Sequence, residues 1–163
     1  MKKINKIIVE GPDCSGKSTV VERIKNMLRW DSKSLHHFEG NQFDRYSKEY
    51  VLGKNIVFDR GHFSEIVYSI LWRGGSPFSE KEEKILNELC GINTLVIFVC
   101  PELETIRKRH CDRKFEQQIQ LKELEQSREI FIKTLQKFNV LFYESKDYEE
   151  LNKLLKDVWE IVK

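Results

Sequence analysis

Several things are scarce in this 163-residue sequence, and each scarcity narrows what it can be. An excess of one charge is missing. Twenty-eight Lys and Arg against 26 Asp and Glu leave a formal net charge of +2, which gives no global electrostatic ground for a nucleic-acid or membrane partner. Cysteine is thin: Cys14, Cys90, Cys100 and Cys111 stand apart with no C-x-x-C pair. That pattern predicts neither a zinc site nor a disulfide framework, and reduced thiols in a cytoplasmic protein are the expectation. His36, His37, His62 and His110 show no regular ligand spacing, so no Cys/His metal site is expected. No apolar run approaches the roughly 18 residues that span a bilayer. Met1-Lys2-Lys3-Ile4-Asn5 runs straight into an apolar stretch, which does not read as a secretory signal. Repeats, low-complexity segments and long linkers are also missing. With 40% hydrophobic and 33% charged residues, the composition is that of an ordinary soluble globular chain. The length fits a single domain, 1–163, with one core.

Against that plain background one stretch stands out, Gly11-Pro12-Asp13-Cys14-Ser15-Gly16-Lys17-Ser18, followed by Thr19. It matches G-x-x-x-x-G-K-[ST], the phosphate-binding loop. Lys6-Ile7-Ile8-Val9 before it reads as a buried strand, and Val20, Val21, Ile24, Met27 and Leu28 after it recur at helical spacing. Gly11 and Gly16 permit backbone angles that a β-carbon resists. The N–H groups from Asp13 to Ser18 are then expected to line an anion site at a helix N-terminus. In this motif Lys17 reaches the β- and γ-phosphates and the Ser18 hydroxyl ligates Mg²⁺. The motif predicts a nucleoside triphosphate ligand and leaves the reaction open.

The rest of the chain alternates short apolar runs with helical patterns. Trp30 to Ser34 reads as a polar connection and Leu35 to Phe38 as a weak second strand. A helix is expected over Tyr46 to Leu52, and a buried strand over Asn55 to Phe58. Ser64 looks like a helix N-cap, with Ile66, Val67, Ile70 and Leu71 on the buried face. Ser79 and Glu82 form a capping box for the next helix, with Ile85, Leu86 and Leu89 inside. Thr94 to Val99 is the strongest strand. A short helix is expected from Pro101 to Arg109, followed by a basic segment, Arg107 to Lys114. A long helix carries Ile119, Leu124, Phe131, Leu135 and Phe138. Val140 to Tyr143 is a last strand, and Leu151, Leu154, Leu155, Val158, Trp159 and Val162 form the stripe of a closing helix. Five strands alternating with helices predict an α/β fold with a five-stranded parallel sheet covered on both faces. Ligands on such sheets bind at the carboxyl ends of the strands. There the first strand delivers the glycine turn and the third delivers Asp59-Arg60. An acid at that point can hold Mg²⁺ in the Walker B role, and an arginine can grip an acceptor phosphate.

With both segments in view, the sequence resembles thymidylate kinase and its deoxynucleotide-kinase relatives. Glu10 through Thr19 is similar to E-G-x-[DE]-x-[AS]-G-K-[ST]-[ST]. Asp59-Arg60 with Ser64 and Tyr68 is similar to D-R-x-x-x-S-x-x-x-Y. Gly74-Gly75 and the helix to Leu89 resemble the family's glycine break, and Pro101-Glu102, Arg107, Arg109, Asp112-Arg113 and Glu116 resemble its lid. The resemblance implies a three-layer P-loop kinase sandwich with a lid at about 107–117. It implies that Glu10, Asp13, Arg60, Ser64 and Tyr68 hold the acceptor. It further implies that Lys17, Asp59, Arg60, Arg109 and Arg113 serve catalysis. Gly11, Asp13, Cys14, Ser15, Gly16, Lys17, Ser18 and Thr19 would hold the ATP phosphates, and Ser18 and Asp59 the Mg²⁺. Position 14 is cysteine, so the chain resembles members that carry their catalytic arginines in the lid. It departs from the family at Ser69, where a glutamine usually reads thymine, and in the short stretch between the glycine turn and Asp59, a shortness reminiscent of phage-encoded relatives.

Three functions remain open at this point. One is ATP-dependent phosphoryl transfer to a deoxynucleoside monophosphate. A second is transfer to a hydroxyl, of a nucleoside or a polynucleotide end, with Glu10 placed as a general base. The third is nucleotide binding without catalysis. The partners expected are small nucleotides, with no membrane partner, and the apolar helix faces are compatible with a homodimer.

Overall fold

The computed structural model describes residues 3–36, 39–112 and 119–163. In chain order the elements are β1 (Lys6–Glu10), α1 (Lys17–Leu28), β2 (Asp31–Ser34), α2 (Gln42–Leu52), β3 (Ile56–Asp59), α3 (His62–Arg73), α4 (Glu80–Cys90), β4 (Thr94–Val99), α5 (Leu103–Asp112), α6 (Leu121–Leu135), β5 (Leu141–Tyr143) and α7 (Tyr148–Val162). The five strands form one parallel sheet in the order β2-β3-β1-β4-β5, as the alternation of apolar runs and helical patterns predicts.

All five residues of β1 are buried, because it is the central strand and both faces are covered. Side chains alternate between the faces. Ile8, Phe58, Val96 and Phe98 pack against α2, α3, α4 and α6 through Tyr50, Phe63, Leu86 and Phe131. Ile7, Val9, Val57, Ile97 and Val99 pack on the other side against Val20, Val21 and Ile24 of α1 and Leu151, Leu154 and Val158 of α7. A small third cluster, Cys14, Ile106 and Leu124, ties the glycine loop to α5 and α6. No helix of the described residues is long and apolar enough to cross a membrane.

The second strand is displaced from its expected place. It occupies Asp31–Ser34, where a polar connection was expected, and ends before Leu35. His37 and Phe38, the other half of the expected strand, lie outside the described residues. β2 sits at the sheet edge and pairs with β3 alone, and all four of its side chains are exposed. Its place is set by backbone pairing, which leaves no apolar signature. Leu35 donates one further backbone hydrogen bond to the Asp59 carbonyl at 2.9 Å and is buried, so the apolar signal marks the residue just past the strand. α2 begins earlier than expected, capped by the Asn41 side chain on the Asp44 N–H. The Ser79–Glu82 capping box forms as read. Ile70, expected inside, is 39% exposed, and Trp159 is 37% exposed, since each lies at the margin of its helix's buried stripe.

The N-terminal end of α3 meets the C-terminal ends of α2 and α4 at a buried polar node. The Tyr50 hydroxyl accepts the His62 backbone N–H at 3.0 Å and donates to His62 Nδ1 at 2.8 Å, while His62 Nε2 donates to Asn87 Oδ1 at 2.9 Å. This assignment satisfies every group with the Nε2–H tautomer. Burial pushes the His62 pKa down to about 4, against a small upward pull from Asn87. The ring is therefore neutral in the folded chain and gains a proton on unfolding below its ordinary value of 6.5. The folded state should then lose stability as pH falls from 6.5 toward 4, by up to about 3 kcal/mol from this one group. Urea unfolding at stepped pH tests this: His62→Gln should be less stable at pH 7 and show a shallower loss toward pH 4.5 than the wild type. An identical slope in both proteins would contradict the assignment.

Candidate active site

The glycine loop sits where β1 ends between its neighbours β3 and β4. Gly11 has φ +147°, and a β-carbon there would lie 2.2 Å from the Val99 carbonyl oxygen, so only glycine lets the loop press against β4. Cys14 and Gly16 are also left-handed, at φ 62° and 99°. These turns bring the chain round so that Lys17, Ser18 and Thr19 open α1, whose first turn begins with the Thr19 N–H bonded to the Gly16 carbonyl at 3.1 Å. Lys17 is buried, and its Nζ donates to the Pro12 carbonyl at 2.7 Å. Burial pushes its pKa down to about 8, with the Arg60 guanidinium adding to the effect and Asp13, Asp59 and Glu10 opposing it.

The second loop follows β3. Asp59 ends the strand, and its Oδ1 is buried without a hydrogen-bond partner among the described residues. Arg60 has φ +76°, a conformation costing a non-glycine residue roughly 1–2 kcal/mol. Its N–H donates to the Val9 carbonyl at 3.0 Å, its Nη2 pairs with Asp13 Oδ1, and its guanidinium carbon lies 5.1 Å from the Tyr68 ring centroid. Burial alone would raise the Asp13 pKa, but Arg60 and Lys17 outweigh it and hold the carboxyl below its usual range.

Ser64 is not the N-cap that its residue type suggests. That position is Gly61, which supplies no side-chain bond. The cap comes from Glu10, at the end of β1. Its Oε1 accepts the Gly61 N–H at 2.7 Å and the Ser64 N–H at 3.3 Å, and its Oε2 accepts the Ser64 hydroxyl. Glu10 is fully buried, and burial pushes its pKa up, opposed by the Ser64 hydroxyl and Arg60. Gly61 is required here too, because a β-carbon would lie 2.8 Å from the Tyr50 hydroxyl. Both carboxylate oxygens are thus committed to holding α3 in place.

Three clefts meet at these loops. The central one, about 220 Å³, is lined by Asp13, Cys14, Gly16, Lys17, Ser18, Thr19, His36, Asp59 and Arg60. The α3 cleft, about 480 Å³, shares Asp13, His36 and Arg60 with it, and adds Ser64, Tyr68 and three side chains that the sequence did not single out: Glu65, Trp72 and Arg73. Their spacing along the Ser64–Tyr68 face of α3 was the available signal. The third cleft, about 530 Å³, shares Cys14, Gly16 and Thr19 and is closed by Arg109, Tyr143, Ser145 and the start of α7. Arg109 Nη1 donates to the Ser15 carbonyl at 2.7 Å and Nη2 to the Ser145 carbonyl at 2.8 Å. It pins the glycine loop to the turn after β5 and lines this third cleft, not the central one. Arg113, Glu116 and the rest of the expected lid beyond Asp112 lie outside the described residues.

The central cleft suits an anion with a hard cation. Lys17, Arg60 and the α1 N-terminus supply positive potential. The unpartnered Asp59 oxygen and the exposed Ser18 face the same space. Magnesium is commonly held by one or two protein oxygens, with phosphate and water completing the octahedron, so these two residues fit it. Among the described residues no group of three or more His, Cys, Asp or Glu could hold a metal alone.

No protein-family model matches the chain. It is 28% identical over 109 residues to the SPbeta prophage-derived uncharacterized protein YorR of Bacillus subtilis (strain 168); the match takes in 63% of this chain and 66% of the relative, just under two thirds. The crystal structure of Bacillus subtilis YorR in complex with phosphorylated GDP superposes with a TM-score of 0.81 over 96% of this chain and 95% of that one, at 22% identity. Deoxyadenosine kinase from M. mycoides, with the products dCMP and a flexible dCDP bound, gives 0.66 over 97% and 100% of the two chains at 16% identity. Shikimate kinase from Acinetobacter baumannii in complex with shikimate gives 0.62 over 99% and 94%, at 12% identity. The chain has the P-loop kinase fold shared by nucleoside and small-molecule kinases.

Proposed function

We propose that this protein is a kinase that transfers the γ-phosphoryl group of ATP to a deoxynucleoside monophosphate. The observation that carries this reading is the join between the α3 cleft and the central cleft, where Arg60 and Asp13 line both. An acceptor phosphate gripped by Arg60 would lie in line with a triphosphate seated on the glycine loop. The third cleft, beyond Cys14 and Thr19 and walled by Arg109, has the volume and position for the donor nucleoside. Nucleotide ligands in YorR, with phosphorylated GDP, and in the M. mycoides kinase, with dCMP and dCDP, support the ligand class.

An acceptor phosphate oxygen is already a nucleophile, so catalysis reduces to alignment and charge neutralisation. Lys17 spans the β- and γ-phosphates, moving off its own loop carbonyl to do so. Arg60 holds the acceptor phosphate and Asp13 fixes Arg60; Arg113 of the expected lid would complete the charge around the transferred group, while Arg109 braces the glycine loop from the donor side. Ser18 and Asp59 would hold Mg²⁺, which neutralises phosphate charge when bound. Transfer to a hydroxyl would call for a general base. Glu10, which occupies that place in the sequence, spends both oxygens on α3 and lines none of the three clefts.

ADP release measured with a panel of deoxynucleosides and their monophosphates tests the reading. Turnover is expected with monophosphates, and Lys17→Ala should lower it roughly 10²–10³-fold. Turnover with nucleosides alone would overturn the proposal, and ATP binding without turnover on any acceptor would make the protein a binding module. The Lys17 pKa of about 8 carries a second expectation. A bound polyphosphate favours the ammonium, so above pH 8 binding must take up a proton. ATP affinity should fall between pH 8 and 9, by up to about tenfold per unit, with proton uptake visible by titration calorimetry in buffers of different ionisation enthalpy. A dissociation constant unchanged from pH 7 to 9 would count against Lys17 as the phosphate ligand.

A further inference from the structure

The α3 cleft also holds a charge pair that phosphate transfer does not use. Glu65 is 5% exposed yet is among the residues lining the cleft, and its Oε1 accepts from Arg73 Nη2 at 2.5 Å. The two residues are eight positions apart on α3, so their side chains are drawn toward each other along the helix. Arg73 is 46% exposed at the side chain, and an ion pair open on one side adds little to stability, while a buried carboxylate is costly to desolvate. Fold stability is a weak reason for this pair. Around it, Tyr68 and Trp72 stack with ring centroids 5.0 Å apart and an interplanar angle of 22°, and Tyr46 lines the same space. That is a charge pair beside flat aromatic surface, the combination that grips a planar heterocycle by stacking and by its polar edge.

α3 begins beside Arg60, where an acceptor phosphate would meet both the guanidinium and the helix N-terminus. Arg60 and Glu65 both line this cleft, and the Tyr68 ring, 5.1 Å from the Arg60 guanidinium carbon and 5.0 Å from the Trp72 ring, joins the phosphate grip to the aromatic surface.

The pair presents an acceptor, the carboxylate, next to donors, the guanidinium N–H groups. A base edge fits if it divides cleanly into a donor side and an acceptor side. Cytosine does so, with its amino group on one side and N3 and O2 on the other. Adenine does so with its amino group and N1. Guanine does so with N1–H and its amino group against O6. Thymine does not, because its single N3–H stands between two carbonyl oxygens, and one of these must face the carboxylate. Resting on the kinase reading above, we propose that Glu65 and Arg73 form the base-reading pair of the acceptor site and select a monophosphate bearing an exocyclic amino group over thymidylate. Ser69, which stands where the resembling family carries its thymine-reading glutamine, agrees with this.

The test is binding of dCMP, dAMP, dGMP and dTMP to the full chain by titration calorimetry, with turnover of each measured in parallel. At least one amino-bearing monophosphate should bind roughly tenfold or more tightly than dTMP, in keeping with the cost of leaving a buried polar group unpaired. Glu65→Gln, whose amide can donate to a thymine carbonyl, should shrink that ratio to within about threefold. Arg73→Gln should weaken dCMP and dGMP more than dTMP. Ratios between bases within one variant do not depend on how much of it is folded, so a destabilised variant remains informative. If dTMP binds as tightly as every amino-bearing monophosphate, or if the ratio is unmoved in both variants, the assignment is wrong. Selective binding without turnover would leave the base assignment standing and overturn the kinase reading. Failure of all four to bind would overturn both.

Discussion

The fully buried carboxylate of Glu10 carries more of this structure than its single position suggests. It ends β1, and it receives the N–H groups of Gly61 and Ser64 and the Ser64 hydroxyl from the start of α3. An anion at a helix N-terminus is favourable, and here it is supplied from 51 positions away in the sequence. The bond fixes the end of β3 against the end of β1, so the glycine loop and Asp59-Arg60 emerge side by side. Arg60 is held in a left-handed conformation between Val9 on one side and Asp13 on the other. Without that tie nothing local would keep its backbone there. Tyr50 of α2 braces the same turn through its bonds to the backbone N–H and ring of His62.

The electrostatics of the central cleft follow from the packing. Lys17 and Arg60 are drawn together by two loops that the sheet makes neighbours, and their mutual repulsion adds to the burial that lowers the Lys17 pKa. Asp13 and Asp59 offset part of that charge. An anion in the cleft would offset the repulsion and favour the ammonium form of Lys17. The central cleft shares lining residues with each of the other two, so all three open at the same end of the sheet.

Much of the fold was legible from the sequence because its determinants are local. β1, β3 and β4 are central or near-central strands, and burial on both faces makes them continuous apolar runs. The capping box at Ser79 is a matter of three residues. β2 was misplaced because an edge strand with four exposed side chains is defined by its partner's backbone, and pairing leaves no trace in residue type. Ser64 was misread for the same kind of reason: serine is a good N-cap in isolation, but the cap position belongs to Gly61 and the capping oxygen to Glu10. The loop residues Gly11 to Thr19 and the pair Asp59-Arg60 could be named in advance, since each lies in a short motif with its own chemistry.

The residue order alone specifies a glycine loop of the phosphate-binding pattern, an acid and an arginine at a strand end, and a parallel α/β frame to carry them. These are set by glycine, charge and apolar periodicity within a few residues of one another. Tertiary structure alone decided what those groups face. It turned Glu10 away from the clefts and into α3, set Arg109 across the glycine loop and the turn after β5, and brought Glu65 and Arg73 together beside Tyr68 and Trp72. The direction of a side chain depends on which distant backbone or carboxylate it can reach, and that distance is fixed only when the sheet and both helical layers have closed around it.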